Sequence, residues 1–163
     1  MILYILCGAP GSGKSYFAKN HLMKNDENLY YVSRDEVRYS MITNEDEYFS
    51  KENEVFQIFI NKIKYYLDSK TFACSGVIAD ATHLNWASRR KLLNALGILD
   101  GAYPNLEIIP IIVRPELDIT LKRNSQREGR AKVPEDVVIR MRNSQVSPWK
   151  DPFKYTAVME VRE

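Results

Sequence analysis

A run of apolar residues, Ile2 to Cys7, breaks at once into Gly8-Ala9-Pro10-Gly11-Ser12-Gly13-Lys14-Ser15. The run is too short for a helix and reads as a buried strand. The segment after it fits G-x-x-x-x-G-K-[ST] at every fixed position, and Ser15 to Lys24 reads as a helix. Strand, glycine-rich turn and helix in that order form a cradle for phosphate. Glycines let backbone N–H groups curl around anionic oxygens. The helix N-terminus adds unpaired donors and a favourable dipole. Gly8, Gly11, Ser12 and Gly13 are thus candidate phosphate-binding residues, Lys14 reaches β- and γ-phosphates, and Ser15 offers its hydroxyl to Mg²⁺. The expected ligand is a nucleoside triphosphate with Mg²⁺. No N-K-x-D element reads guanine, so ATP is preferred.

The rest of the chain repeats the alternation that this opening sets. Leu29–Val32, Gly76–Ala79 (ending at Asp80), Ile108–Val113 and Thr156–Val161 read as further strands. Between them, Asp35–Met41, Val55–Leu67, Trp86–Leu96, Pro115–Gln126 and Pro134–Gln145 read as helices. Pro110 inside the fourth strand argues for an edge position, a bulge or a shifted boundary. Five strands alternating with helices predict an α/β three-layer sandwich with a mostly parallel five-stranded sheet. At 163 residues the chain fits one domain.

Composition narrows the class. With 45% apolar residues and a net charge of +2, the chain is neither disordered nor polybasic in bulk. Cys7 and Cys74 read as free thiols in apolar surroundings. Two histidines without ligand spacing argue against structural zinc. No apolar stretch approaches membrane-spanning length and no signal peptide is visible, so the expectation is a cytoplasmic protein with no membrane partner, monomeric by default.

Carboxylates at strand ends are the next candidates, because sites in open parallel sheets lie outside the carboxyl ends of the strands. Asp35 is either the acceptor of a proton from an attacking hydroxyl or a helix N-cap. Arg38, three residues on, either binds an acceptor phosphate or braces Asp35. Asp80 ends the third strand as a Walker-B-like carboxylate that holds metal through water or binds Ser15. Thr82 is an acceptor contact or a turn residue, Asn85 a cap, and His83 a loop residue. Arg89 and Arg90 read as helix charges, of which one need face the cleft. The 44–54 segment is acidic, while 114–132 carries six cations against three carboxylates. Arg123 and Arg127 are four apart, which on a helix puts them on one face. That arrangement suits a lid, hinged near Gly129, that neutralises a transferred phosphoryl group.

In these motifs the chain resembles the kinase domain of the bacteriophage polynucleotide 5′-hydroxyl kinases and the AAA_33-type, zeta-toxin-like P-loop kinases. The likeness rests on Gly8 to Ser15, on Ser33-Arg34-Asp35-x-x-Arg38, and on Asp80-x-Thr82-x-Leu84-Asn85 with Arg89. It continues in Leu121-x-Arg123-Asn124-x-x-Arg127 and Val133-Pro134. It implies a P-loop, nucleotide-kinase-like fold with a short helical lid at about 114–132. It further implies transfer of the ATP γ-phosphoryl group to a nucleic-acid 5′-hydroxyl. Lys14 and Ser15 would hold phosphate and metal, and Asp35 would act as base. Arg38 would contact the 3′-phosphate of the end nucleotide, Thr82 would position the strand, and Arg123 and Arg127 would bind donor phosphates. The Asp-Thr pair of the phage enzymes corresponds imperfectly, since Ala81 separates Asp80 from Thr82. Other hydroxyl acceptors, such as a nucleoside, a sugar or an antibiotic, and a non-catalytic ATP-binding module are the alternatives.

Overall fold

The computed structural model describes residues 1–43, 49–69 and 73–162. Five strands form one sheet: β1 (Ile2–Cys7), β2 (Leu29–Ser33), β3 (Gly76–Asp80), β4 (Glu107–Val113) and β5 (Met159–Val161). Their order is β2-β3-β1-β4-β5, and every neighbouring pair is parallel. The helices are α1 (Lys14–Phe17), α2 (Met23–Asn25), α3 (Arg34–Met41), α4 (Glu52–Asp68), α5 (Trp86–Leu96), α6 (Leu117–Ser125) and α7 (Glu135–Asn143). A π-helical stretch, Ala18–Leu22, joins α1 to α2.

Period-two alternation on the strands produces the three layers. Leu3, Ile5 and Cys7 of β1 face a core completed by Phe59, Ile60 and Ile63 of α4 and by Leu92, Leu93 and Leu96 of α5. Leu6 faces the opposite core, with Ala18, Ile78 and Ile111. Every residue of β3 is buried, as a strand covered on both faces requires.

Pro110 has a simple explanation. The N–H groups of Ile108 and Arg114 bond to Thr156 and Val161, on the β5 side of the strand. Pro110 shares their parity, so its missing donor also faces that side. β5 pairs only from Ile111 onward, so β4 is locally an edge at Pro110.

Register fixes the site's location. Leu6 of β1 pairs with Asp80 of β3, which pairs with Ser33 of β2. The phosphate loop, the 80–85 loop and the start of α3 therefore leave the sheet side by side. β1 is also where the chain's crossovers change direction, the switch point at which open α/β sheets bind ligands.

Behind this edge, Arg89 is fully buried rather than solvated, contrary to the sequence expectation. Its guanidinium grips Asp151 with two bonds of 2.6 and 2.7 Å and donates to the carbonyls of His83 and Val146. It pins the segment after α7 to the loop beside the site. Arg89→Met should cost roughly 3–5 kcal/mol in urea denaturation, because it strands Asp151 as a buried charge. Arg89→Met with Asp151→Leu should be less destabilised than the single variant, and equal losses would contradict the pin.

Candidate active site

The cradle is built by backbone geometry that only glycine adopts freely. Gly11 and Gly13 have φ of 81° and 93°. A Cβ on Gly11 would also lie 2.5 Å from the Thr120 carbonyl oxygen, so the loop is packed directly against α6. Gly8 N–H donates to the Thr82 carbonyl at 2.9 Å, which ties the loop to the end of β3. Thr82 thus contributes its backbone to the site.

Lys14 is 8% exposed, and no carboxylate pairs with it among the described residues. Ser12 Oγ is buried and unbonded. A buried ammonium without a counter-charge is costly unless an anion joins it, so this pair of observations fits phosphate. Ser15 Oγ donates to Asp80 Oδ2 at 2.6 Å. The Tyr31 hydroxyl donates to the same oxygen. Burial, and then the Asp80 carboxylate, push the Tyr31 phenol far above its ordinary pKa, so it remains a donor. Ser15 and Asp80 are hard oxygen donors suited to Mg²⁺, which takes few protein ligands and completes its shell with phosphate and water.

A second cluster stands on the neighbouring strand end. Ser33 caps α3, its Oγ accepting from Glu36 N–H at 3.3 Å, so Asp35 is not the cap. Asp35 lies in the first turn with its side chain 65% exposed. Arg38 donates to it through Nη1 at 2.5 Å. The remaining face of the buried Arg38 is taken by Glu52, with Nε and Nη2 bonds of 2.6 and 3.0 Å. Arg34 adds a 2.8 Å bond to Glu52. Burial alone would raise the Glu52 pKa, but the two guanidiniums outweigh it and hold the carboxyl below its ordinary range. Sequence reasoning saw Glu52 only as part of an acidic stretch. Its partners lie 14 and 18 residues away, beyond any local spacing rule. Glu45, Asp46 and Glu47 of that stretch lie outside the described residues.

The two lid arginines do not share a helix face. α6 ends at Ser125, so Arg127 lies beyond it and donates to the Ala131 carbonyl at 3.1 Å. Arg123 alone reaches the phosphate loop, with Nη1 3.4 Å from the Ser12 carbonyl oxygen. Near the end of the helix, the buried amide of Asn124 holds the following loop by donating to Val133 at 2.7 Å and accepting from it at 3.2 Å. Arg130 meets the Ile42 carbonyl and lies 4.9 Å from the Tyr39 ring centroid, joining the lid to the end of α3.

The AAA_33 family, described as an AAA domain, matches residues 3–148. The chain belongs to this family. Among solved structures it is similar to a fungal RNA kinase, with TM-score 0.68 and 16% identity over 98% of this chain and 73% of that one. It is similar to a chain of the Pnkp1/Rnl/Hen1 RNA repair complex, with TM-score 0.64 and 20% identity over 88% of this chain and 43% of that one. A sugar kinase from Janibacter sp. HTCC2649 gives TM-score 0.57 and 14% identity over 99% of this chain and 85% of that one. The AAA_33 chain thus has a P-loop, kinase-type fold that is common to proteins acting on unlike acceptors. No helix among its described residues is long and apolar enough to cross a membrane.

His83 lies in the loop, as expected, but is buried at φ 40° with Nδ1 donating to the Leu6 carbonyl at 3.0 Å. Burial pushes its pKa down to about 4. The unfolded imidazole takes a proton near 6.5, so the unfolded state binds more protons between those values. Stability should fall as pH drops from about 6.5 to about 4, by on the order of 3 kcal/mol from this group. Asparagine tolerates the left-handed backbone. Chemical denaturation across that window should therefore give a shallower pH slope for His83→Asn, and an identical slope would exclude His83 as the source.

Proposed function

We propose that this chain is an ATP-dependent phosphotransferase that moves the γ-phosphoryl group to a hydroxyl, preferably the 5′-hydroxyl of a polynucleotide. The observation that carries the reading is the adjacency of two clusters at one sheet edge. Lys14 with Ser15 and Asp80 forms a phosphate and metal site, and Asp35 braced by Arg38 stands on the neighbouring strand's exit.

The acceptor oxygen attacks the γ-phosphorus in line. The new O–P bond forms as the bond to the β,γ-bridging oxygen breaks, and ADP leaves. Asp35 takes the hydroxyl proton. Lys14 and Arg123 balance charge on the phosphates, and the lid of residues 114–132 excludes water that would otherwise hydrolyse ATP. Mg²⁺, held by Ser15 with Asp80, would supply further neutralisation of the phosphate oxygens.

Arg38 is proposed as the brace of Asp35 rather than a ligand of the 3′-phosphate. Its Nε, Nη1 and Nη2 are all engaged by Glu52 and Asp35, so a phosphate would have to displace a carboxylate. Arg127 is proposed as a lid brace through Ala131, leaving Arg123 as the donor-phosphate arginine.

A closed acceptor pocket would favour a small molecule. The cleft between α3 and α4 has a volume of about 340 Å³, but it is lined by Glu36 and Val37 and not by Asp35, Arg38 or Thr82. That cleft therefore does not serve as an acceptor pocket facing Asp35.

Asp35→Asn should lower kcat about 10²- to 10⁴-fold with ATP and a 5′-hydroxyl oligonucleotide, while ATP affinity persists. Unchanged turnover would remove Asp35 as base. Labelled ATP offered with 5′-hydroxyl DNA, 5′-hydroxyl RNA, nucleosides and sugars tests the acceptor class directly. Labelling confined to a sugar or nucleoside would overturn the polynucleotide preference.

A further inference from the structure

Trp86 is the first residue of α5, and it is 44% exposed. It stands at one end of an open groove between α4 and α5, about 530 Å³ in volume. Phe56 forms the other aromatic wall, Arg90 and Lys91 stand on the rim, and no acidic side chain lines it. Lys91 Nζ lies 4.5 Å from the Phe56 ring centroid, and the Arg34 guanidinium lies 5.5 Å from the same ring. Arg90 and Lys91 are both exposed, and neither pairs with a carboxylate among the described residues.

Side-chain contacts link the groove to the acceptor side of the site. On one wall, Phe56 meets Arg34, Arg34 bonds to Glu52, Glu52 bonds to Arg38, and Arg38 bonds to Asp35. On the other wall, Trp86 opens α5 four residues after Thr82, which lies on the loop that leaves β3 beside the phosphate cradle. An exposed tryptophan beside cations that pair with no carboxylate among the described residues is the chemistry that holds single-stranded nucleic acid. Bases stack on the rings, and the backbone tracks the charges.

We propose that this groove binds the single-stranded segment 3′ of the reacting nucleotide, with a base stacked on Trp86 and its phosphates on Arg90 and Lys91. The inference rests on the polynucleotide reading of the site and adds a length requirement to it. On this proposal a dodecamer reaches the groove and a dinucleotide does not.

The test uses two readouts on the intact chain. Fluorescence anisotropy gives the affinity for a 3′-labelled, 5′-phosphorylated dodecamer. Acceptor KM is measured for 5′-hydroxyl oligomers from dinucleotide to dodecamer. In the wild type, KM should fall as the acceptor lengthens. Trp86→Ala should weaken dodecamer binding roughly tenfold or more and flatten the length dependence. Lys91→Glu with Arg90→Glu should weaken it too. Neutralising that pair to alanine should reduce the slope of log K against log salt by about 1.4, or about 0.7 per cation. Trp149→Ala, an exposed tryptophan outside the groove, should keep the wild-type length dependence, and circular dichroism checks the fold of every variant.

Wild-type affinity in Trp86→Ala overturns the groove. Length-independent phosphorylation by the wild type also overturns it and leaves the polynucleotide reading standing. Dodecamer binding that depends on Trp86, without any phosphorylation of 5′-hydroxyl ends, keeps nucleic-acid binding at the groove but overturns its role in seating an acceptor, together with the polynucleotide-kinase reading.

Discussion

One carboxylate oxygen holds the front edge of this protein together. Asp80 Oδ2 accepts from Ser15, which follows the phosphate loop, and from Tyr31, which belongs to β2. Asp80 itself ends β3, so the phosphate loop, β2 and β3 are joined at a single atom. The arrangement is demanding, because a part-buried anion needs donors on both sides. Tyr31 supplies one from a phenol whose proton is secured by burial and by the carboxylate beside it. The Tyr31 ring is in turn covered by Lys19, whose ammonium lies 4.7 Å from its centroid and bonds to Glu36 at 3.3 Å. The donor end of the site is therefore supported from the outer helices inward.

Much of this was legible in the sequence, and the reason is locality. The cradle is one contiguous segment whose residue types are dictated by backbone shape, so Gly8 to Ser15 announced itself. The strands and α5 were readable from apolar periodicity alone, and Trp86–Leu96 matches its expected bounds because Asn85 caps it and Gly97 ends it in the left-handed conformation. The failures share the opposite property. Glu52 was missed because its arginine partners lie on another helix. Arg89 was read as a solvated charge because its partner, Asp151, is 62 residues away. The helical pairing of Arg123 with Arg127 failed because α6 ends at Ser125, and the Asn124–Val133 bond that holds the loop beyond it is encoded in no helix propensity.

Charge tells the same story at larger scale. The arginines that spacing made conspicuous divide by burial into two groups. Arg38 and Arg89 are buried and compensated by Asp35, Glu52 and Asp151, so they contribute rigidity more than field. Arg123 faces the cradle, where Lys14 already leaves a positive charge without a counter-ion among the described residues. A net charge of +2 thus conceals a sharp contrast between neutralised interior pairs and a few cations left facing outward.

That division has a consequence for how the two ends of the site communicate. Arg130, from the lid, reaches the carbonyl of Ile42 and packs against Tyr39 at the end of α3, the helix that carries Asp35 and Arg38. Asn124 fixes the other end of the same loop through Val133, and Gly11 packs directly under Thr120 of α6. The lid is therefore braced on the phosphate loop at one end and on the Asp35 helix at the other. Hydrogen bonds from Arg123 to the Ser12 carbonyl and from Arg130 to the Ile42 carbonyl thus couple the two sides structurally. In a phosphotransferase that coupling lets donor and acceptor groups assemble together, which is the condition for excluding water from the transfer.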